Sequence, residues 1–412
     1  MLRQAHGRRR ALIGVLAVAT VVASPATAEA HDGRTPRPPR VTVVASGLLN
    51  PRGVSVAPDG TVYVAESGVG GETLAEALIE GEPATVCLGH TGAVARVRRG
   101  RVERIATFPS LTAAADVGGA PSCDPSLIGA ASTGPADVEA GWHGSVAVTV
   151  GLGGNGAVRA SLPPEFGASM GKLFEIERRR GVREIADITG YEDLANPDQV
   201  EPGLGEIDSN PYGVTTVGGA HIVADAGGND LVRVDRRGNV STLTTFPLIE
   251  GTTVPALSCP APPGFPPPGV PIPAQPVPTA VATGSDGELY AGQLTGFPFN
   301  VGVANVWRVN PRTGAKRVVA GGFTNIVGLA VGRGGTLYVL EIARNGLLEG
   351  EVCGDFSGRL WKVDRRGAKT EIQVPGGLNA PGGIAVARDG TIYVTNASVQ
   401  PGGAGQLLAI RT

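Results

Sequence analysis

The stretch NPRGVSVAPDGTVYVAES, residues 50–67, decides the fold. It predicts two strands, residues 53–57 and 61–66, joined by a turn at Pro58-Asp59-Gly60, because Asp-Gly between two β-rich runs favours a tight hairpin. The same pattern returns near the end of the chain as APGGIAVARDGTIYVTNAS, residues 380–398. Four weaker copies lie between these two, so the chain repeats one hairpin-based unit.

Alignment on the hairpin gives six units, each with a first, a second and a third strand. Their first strands are expected to begin near Gly53, Ala136, Gly213, Ala280, Gly328 and Gly383. Five units continue into a fourth strand, but the sixth stops at Thr412 without one, and residues 41–46 (VTVVAS) fit the missing pattern. The repeat therefore predicts an all-β fold over residues 41–412. We expect a six-bladed β-propeller of four-stranded blades, closed by the N-terminal strand 41–46 completing the last blade. A β-sandwich or a β-helix does not account for six matching units.

The N-terminal segment resembles an export signal. Residues 1–30 combine four arginines, a short apolar run over residues 11–23 and small residues suited to cleavage. The apolar run is too short to span a membrane, which predicts a secreted protein with no membrane span. The Pro- and Arg-rich residues 31–40 are expected to form a flexible arm.

The overall charge argues against nucleic acid as a partner. Without residues 1–30 the chain has 31 Lys and Arg against 36 Asp and Glu, a slight acidic excess. We expect a monomer.

Long insertions identify one side of the predicted ring as its functional surface. The loops that enter the first strands and leave the second strands lie on one rim, which we call the long-loop face, and the hairpin turns lie on the other. The insertions cover residues 68–92, 109–133, 151–171, 190–210, 247–277, 293–305 and 342–358. Because function concentrates on long loops held by a rigid scaffold, we expect this face to bind a ligand, a polymer or a protein partner.

All four cysteines fall in these insertions. Cys87 and Cys123 lie in two loops of the first unit, which favours a disulfide between them. Cys259 and Cys353 would then pair by elimination, although four cysteines allow three pairings in all.

Polar residues end five of the six second strands, at the mouth of the predicted channel. They are Glu66, Asp225, Gln293, Glu341 and Asn396, and the corresponding residue of the second unit is Val150. Asn50, Asn210 and Asn325 precede first strands and would form a second layer. Carboxylate and amide oxygens are hard ligands, so Ca²⁺ is the candidate cation, with Glu66, Asp225 and Glu341 as its principal ligands. The alternative is a water-filled channel lined by polar strand ends.

The units PYGVTTVGGAHIVADAGGNDLVRVD, residues 211–235, and the two quoted above resemble those of the ScyD/ScyE family of exported proteins over roughly residues 41–412. Similar motifs occur in NHL-repeat and gluconolactonase-like propellers. The gluconolactonase-like likeness implies a divalent-metal lactonase with ligands at the entrances of first strands. Asn50, Asn210 and Asn325 fall in that layer, but Asn50-Pro51-Arg52 replaces the Glu expected in the first blade.

Three functions follow from these patterns. The leading one is a non-catalytic binding protein that uses the long-loop face. The second is a Ca²⁺-dependent hydrolase at the channel mouth, and the third is a structural module of the cell surface. No set of residues suited to nucleophilic catalysis is visible in the sequence.

Overall fold

The computed structural model describes residues 38–79, 82–129, 131–141, 144–400 and 403–412. The predicted signal, residues 1–30, and most of the predicted arm lie outside these ranges. The fold is all-β, and its main elements are antiparallel sheets of four or five strands. No helix within the described residues is both long and apolar enough to cross a membrane.

Each repeat unit forms the greater part of one sheet, and we number the sheets in chain order. Sheet 1 contains Pro51–Val56, Val62–Glu66, Thr73–Ile79, Glu82–Arg98 and Arg101–Ala113. Sheet 2 contains Pro135–Ala140, Val146–Val150, Lys172–Glu177 and Gly181–Asp187. Sheet 3 contains Pro211–Val217, Ala220–Asp225, Asp230–Val234 and Val240–Thr245. Sheet 4 contains Pro278–Thr283, Leu289–Gln293, Ala304–Val309 and Lys316–Phe323. Sheet 5 contains Ile326–Val331, Leu337–Glu341, Arg359–Val363 and Lys369–Glu371. Sheet 6 contains Gly383–Val386, Ile392–Asn396, Gly405–Arg411 and Arg40–Leu48.

The N-terminal strand belongs to the last sheet. Arg40–Leu48 pairs antiparallel with Gly405–Arg411, beginning with Arg40 opposite Arg411. Sheet 6 is therefore assembled from both ends of the described chain.

The six sheets contact one another in a cycle. The first strand of each sheet contacts the first strand of the next, and Gly383–Val386 of sheet 6 contacts Pro51–Val56 of sheet 1. Glycine permits this close approach: a Cβ added to Gly383 would lie 2.7 Å from the carbonyl oxygen of Arg52. Successive sheets arranged in this way form a β-propeller.

The apolar core is divided among the interfaces between sheets. Each of six buried clusters in the described residues joins side chains of two neighbouring sheets. Val64 of sheet 1, for example, packs with Ala45 and Leu407 of sheet 6. Both faces of a sheet are thus buried, which explains the apolar runs of the second strands, such as VYVAE and LYVLE.

The insertions contain more regular structure than the sequence predicts. Residues 68–92, expected to be a loop, include Thr73–Ile79 and the start of Glu82–Arg98, which pair with each other and extend sheet 1. A two-stranded sheet is formed by Ala115–Val117 and Ala120–Ser122. The helices are α1 (Gly156–Ser161), α2 (Pro164–Gly167), α3 (Ile188–Ala195) and α4 (Leu347–Cys353), and Pro197–Val200 and Arg333–Gly335 form 3-10 turns.

Candidate functional site

Two disulfides cross-link the insertions of the long-loop face. Cys87 is bonded to Cys123 and Cys259 to Cys353, which confirms both predicted pairs. The second bridge joins the insertion at residues 247–277 to the one at 342–358. Beside it, the backbone N–H of Ser258 donates to Glu349 Oε2 at 3.1 Å.

Hydrogen bonds connect further insertions to one another. The Leu78 N–H, in the extension of sheet 1, donates to Ser161 Oγ in α1 at 3.0 Å. Asn300 Nδ2 donates to the carbonyl oxygen of Thr253 at 2.8 Å. Because neighbouring insertions hold each other, the face is a preformed surface rather than a set of independent loops.

Large apolar side chains are exposed on this face. Ten such side chains in the described part of the chain are strongly exposed, and seven of them lie in the insertions. The seven are Leu74, Val117, Leu127, Leu194, Val200, Ile207 and Val301. Leu194 is 90% exposed and Val200 73% exposed, and both lie in the insertion at residues 190–210. Within the described residues, exposed large apolar side chains are therefore more frequent in the insertions than on the sheets.

The polar residues that end the second strands connect the sheet to its own entering loop. Four of them accept a hydrogen bond from a backbone N–H just before the first strand of the same sheet. The four pairs are Leu49 N–H to Glu66, Asn210 N–H to Asp225, Thr324 N–H to Glu341 and Asn379 N–H to Asn396, at 2.6–2.9 Å. The fifth residue, Gln293, accepts from the Asn305 N–H at 3.2 Å.

Two of these carboxylates also have partners on outer strands. Arg104, on the last strand of sheet 1 (Arg101–Ala113), donates to both oxygens of Glu66. In sheet 5, Trp361 Nε1 donates to Glu341 Oε1 at 2.9 Å, and Arg359 Nη1 lies 3.6 Å from Glu341 Oε2. Burial raises the pKa of Glu341.

The predicted second layer of amides also links loops. Asn50 Nδ2 donates to the carbonyl oxygen of Gly68, and Asn50 Oδ1 accepts from the Gln400 N–H. Asn325 Nδ2 donates to the carbonyl oxygen of Leu294, and Asn325 Oδ1 accepts from the Leu347 N–H at 2.7 Å. Asn210 Oδ1 accepts from the Leu152 N–H. Their side-chain oxygens accept from backbone N–H groups of other loops.

These contacts give no support to a metal centre at the channel mouth. Within the described ranges, no three His, Cys, Asp or Glu side chains are gathered as ligands of a metal ion. Glu66, Asp225, Gln293, Glu341 and Asn396 accept hydrogen bonds from their own sheets. The ligand set inferred from the sequence stays a prediction, and the contacts seen for its residues are hydrogen bonds.

The channel contains two carboxyl groups that the sequence analysis missed. The first strands of all six sheets line a cavity of about 260 Å³, into which Asp137 and Glu139 of sheet 2 project. Asp137 Oδ2 accepts from the Val214 N–H of sheet 3, and Glu139 Oε2 accepts from Ser55 Oγ of sheet 1. Burial raises the pKa of each carboxyl to about 7. A sequence signal for both residues exists. The first strand of sheet 2, PADVEA, alternates acidic and apolar residues, whereas the other first strands are largely apolar.

Four more carboxyl groups are buried together beside sheet 3. They belong to Glu192 in α3, Asp198 in the following 3-10 turn, Asp225 at the end of the second strand and Asp230 at the start of the third. Each of these four residues has at most 2% of its surface exposed. We call this group the acidic pocket. Of these four residues, only Asp225 was identified from the sequence.

Burial raises the pKa of all four groups, and repulsion from neighbouring acids adds to it for Glu192 and Asp230. Burial raises the pKa of Glu192 to about 8, and the nearby Asp225 and Asp198 contribute to the shift. Burial and the same neighbours raise the pKa of Asp230 well above its usual value. Burial also raises the pKa of Asp225 and of Asp198. Such shifts mark a site where anionic charge lacks a counter-charge.

Comparison with known proteins finds distant likenesses in fold. No family model and no curated protein matches the chain, so the resemblance to the ScyD/ScyE family stays a prediction. Among solved structures, virginiamycin B lyase from Staphylococcus aureus is 12% identical and covers 91% of this chain and 99% of its own, with a TM-score of 0.43. The PQQ-bound aldose sugar dehydrogenase from Streptomyces coelicolor is 13% identical, with the same coverages and a TM-score of 0.46. A glucose dehydrogenase is 11% identical over 90% of this chain and 99% of its own, with a TM-score of 0.48.

Proposed function

We propose that this chain is an exported, non-catalytic binding protein built on a closed six-bladed β-propeller. Support for the ring comes from the cyclic contacts of the first strands and from the core clusters between neighbouring sheets. Pairing of Arg40–Leu48 with Gly405–Arg411 supports closure at the last blade. The two disulfides fit an oxidising compartment outside the cytosol.

The observation that carries the binding function is the exposure of large apolar side chains on the insertions of the long-loop face. Leu194, Val200 and Ile207 are exposed within one insertion, although the fold offers extensive apolar interfaces between its sheets. The other strongly exposed large apolar residues in the described ranges, Val43, Val182 and Val318, lie on outer strands. Aliphatic side chains exposed together on a rigid surface favour association with an apolar partner.

Charge narrows the partner's chemistry. Glu72 and Glu76 are exposed near Leu74, and Glu206 is exposed beside Ile207. A partner that presents apolar groups together with Lys or Arg would satisfy both features of the face. We therefore infer a protein or peptide partner with basic and apolar side chains.

The hydrolase at the channel mouth is the less favoured function. Its proposed ligands Glu66, Asp225 and Glu341 are engaged by backbone N–H groups at short distances. A divalent cation remains compatible with a binding protein, but at a different place. A purely structural module of the cell surface would not need an exposed apolar face.

Peptide arrays of graded charge and hydrophobicity test the binding function. We expect the purified protein to bind immobilised peptides that combine Leu, Ile or Phe with Lys or Arg, and not to bind acidic peptides. The Leu194→Ser, Val200→Ser double variant should lose at least about tenfold in affinity, because it removes two exposed apolar contacts.

A matched control distinguishes binding at the long-loop face from nonspecific hydrophobic binding. Val182→Ser removes an exposed valine from the outer strand of sheet 2 and should leave peptide binding unchanged. The proposal fails if no peptide class is retained, or if Val182→Ser reduces binding as much as the double variant.

A further inference from the structure

The acidic pocket brings together carboxyl groups from separate parts of the chain. Glu192 and Asp198 come from the insertion before sheet 3, and Asp225 and Asp230 flank the connection DAGGND, residues 225–230, within that sheet. Asp230 has no exposed surface, Asp198 and Asp225 have 1%, and Glu192 has 2%. Burying several carboxylates without compensation is among the most unfavourable arrangements in a protein interior.

Several oxygens of the pocket have no hydrogen-bond partner. They are both carboxylate oxygens of Asp230, Oε1 of Glu192 and Oδ1 of Asp198. Buried polar atoms in folded proteins nearly always have a partner, so a group of oxygens that no protein atom satisfies points to a ligand or a proton at this place. These oxygens are acceptors when ionised, which limits that ligand to a cation or to proton donors.

The remaining atoms of the pocket are arranged to hold the acids in place. Asp225 accepts from Ser209 Oγ at 2.7 Å and from the backbone N–H of Asn210 at 2.6 Å. Asn229 Nδ2 donates to Asp198 Oδ2 at 3.0 Å, which leaves the other oxygen of that carboxylate unpartnered. Hydrogen bonds thus hold Asp225 and one oxygen of Asp198, while the other oxygens are unused acceptors.

Glycine makes room for the acids at the connection between strands. A Cβ on Gly228 would lie 3.0 Å from Glu192 Oε2 and 3.4 Å from Asp225 Cγ. The absence of that side chain lets a carboxylate from α3 approach the end of the second strand. A connection rich in Asp, Asn and Gly is also typical of loops that surround a calcium ion.

Basic side chains do not compensate the pocket. Among the described residues, no Lys, Arg or His forms an ion pair with Glu192, Asp198, Asp225 or Asp230. Lys316, the cation associated with the same insertion, pairs instead with Glu201 at 3.7 Å. The charge of the four carboxylates therefore remains available to a ligand.

We propose that the acidic pocket binds one Ca²⁺ ion. Asp230, Glu192 and Asp198 supply the unpartnered oxygens, and Asp225 adds negative charge beside them. All of these donors are oxygens, and the pocket contributes no His or Cys, which favours a hard cation over Zn²⁺. The carboxylates are not gathered in a ligand geometry within the described residues, so binding would draw the unpartnered oxygens together.

Cation binding would order the most apolar part of the long-loop face. Glu192 and Asp198 lie in the same insertion as Leu194 and Val200, while Asp225 and Asp230 belong to the rigid sheet. An ion bridging these groups fixes the insertion to the sheet. This site is independent of the proposed partner binding and stands whether or not the face binds a peptide.

Calorimetry with Ca²⁺ as the only ligand tests the site. Purified protein with its disulfides formed is depleted with a chelator and then titrated with CaCl₂. We expect one site with a Kd of about 1 mM or tighter, and a rise in Tm when Ca²⁺ is added. Asp230→Asn should weaken binding by at least about tenfold. Glu206→Gln, an exposed acid in the same insertion, should leave binding unchanged.

Thermal unfolding distinguishes a ligand from a purely structural residue. Asp230→Asn replaces a buried carboxyl that is unfavourable to ionise by a neutral amide, so the calcium-free variant should have a higher Tm than the calcium-free wild type, and Ca²⁺ should no longer raise it. If that variant does not fold, Glu192→Gln provides the same comparison. Absence of both heat and a Tm shift in wild-type protein overturns the proposal and leaves protonated carboxyls as the occupants. Equal or tighter binding of Zn²⁺ overturns the assignment to a hard cation.

Discussion

Glu66 and Arg104 form a bidentate ion pair across sheet 1. Arg104 Nε lies 2.9 Å from Glu66 Oε2, and Arg104 Nη2 lies 2.8 Å from Oε1. The Glu66 side chain has no exposed surface, whereas that of Arg104 is 41% exposed. The Leu49 N–H donates to the same carboxylate, so one buried acid joins the second strand, the last strand and the entering loop of sheet 1.

Removing the arginine should destabilise the protein strongly. Arg104→Ala leaves the Glu66 carboxylate buried without its counter-charge. We expect a loss of about 2–4 kcal/mol in the free energy of unfolding, toward the lower part of the range typical of breaking a buried pair, because Arg104 is partly hydrated. Urea denaturation measures the loss.

An exposed pair on the same sheet provides the control. Arg96 Nη2 lies 2.7 Å from Glu103 Oε2, and both side chains are accessible to water. Arg96→Ala should therefore cost much less than Arg104→Ala. Equal losses would contradict a structural role for buried Glu66.

Deleting the N-terminal strand tests closure of the ring. A variant lacking residues 31–48 loses the strand that pairs with Gly405–Arg411 and exposes that edge. We expect a lower Tm and concentration-dependent association in size-exclusion chromatography, because an unpaired edge strand favours pairing between molecules. A variant lacking only residues 31–37 should behave as the full protein. If both deletions leave Tm unchanged, Arg40–Leu48 does not close the ring.

The sheets could be predicted because their local signals repeat. Asp59-Gly60 and Asp389-Gly390 mark the same turn in two units. Glycine is required at Gly383, which begins the first strand of sheet 6, because a Cβ there would lie 2.7 Å from the backbone of the neighbouring sheet. The extension Thr73–Ile79 could not be predicted from these signals, because it pairs within one insertion and has no counterpart in the other units.

The site was harder to predict because residue type does not reveal the hydrogen-bond partner. Asp225 and Glu341 are residue types that often bind metal ions, but their carboxylates accept hydrogen bonds from backbone N–H groups of the entering loops. Asp230 begins an ordinary-looking third strand, and only folding places it beside Glu192 and Asp198. Contacts between separate segments decide which acids are compensated and which are not.

The disulfides should contribute unequally to stability. Cys259–Cys353 closes a segment with a sequence separation of 94 residues, against 36 for Cys87–Cys123. Each bridge is expected to contribute about 2–4 kcal/mol, with the larger share from the longer segment because it restricts the unfolded chain more. Cys→Ser double variants of each pair, compared by urea denaturation, measure the two contributions.

Thiol labelling gives an independent check of the pairing. Unfolded, unreduced protein should contain no labelled cysteine, because all four are bonded. Labelling of two or more would contradict the disulfides, and greater stability loss from the Cys87 and Cys123 variant would contradict the ranking.

The channel carboxyls should make the protein less stable as the pH rises. Burial raises the pKa of Asp137 and of Glu139 to about 7, above the values of the unfolded chain. The folded protein therefore holds protons that the unfolded chain releases between about pH 4 and pH 7. Stability is greatest below that window and falls as the pH rises through it, by about 2–4 kcal/mol for each carboxyl.

The Asp137→Asn, Glu139→Gln double variant should flatten this pH dependence. Its amides keep oxygens that accept from the Val214 N–H and from Ser55 Oγ, but they cannot ionise. We expect the variant to be more stable than wild type at pH 8 and to differ less from it at pH 5, as measured by urea denaturation at each pH. The acidic pocket contributes in the same direction in both proteins, so the difference between their slopes reports the channel. Glu165→Gln, an exposed control, should retain the wild-type slope. Equal slopes for the double variant and wild type would show that the channel carboxyls titrate normally.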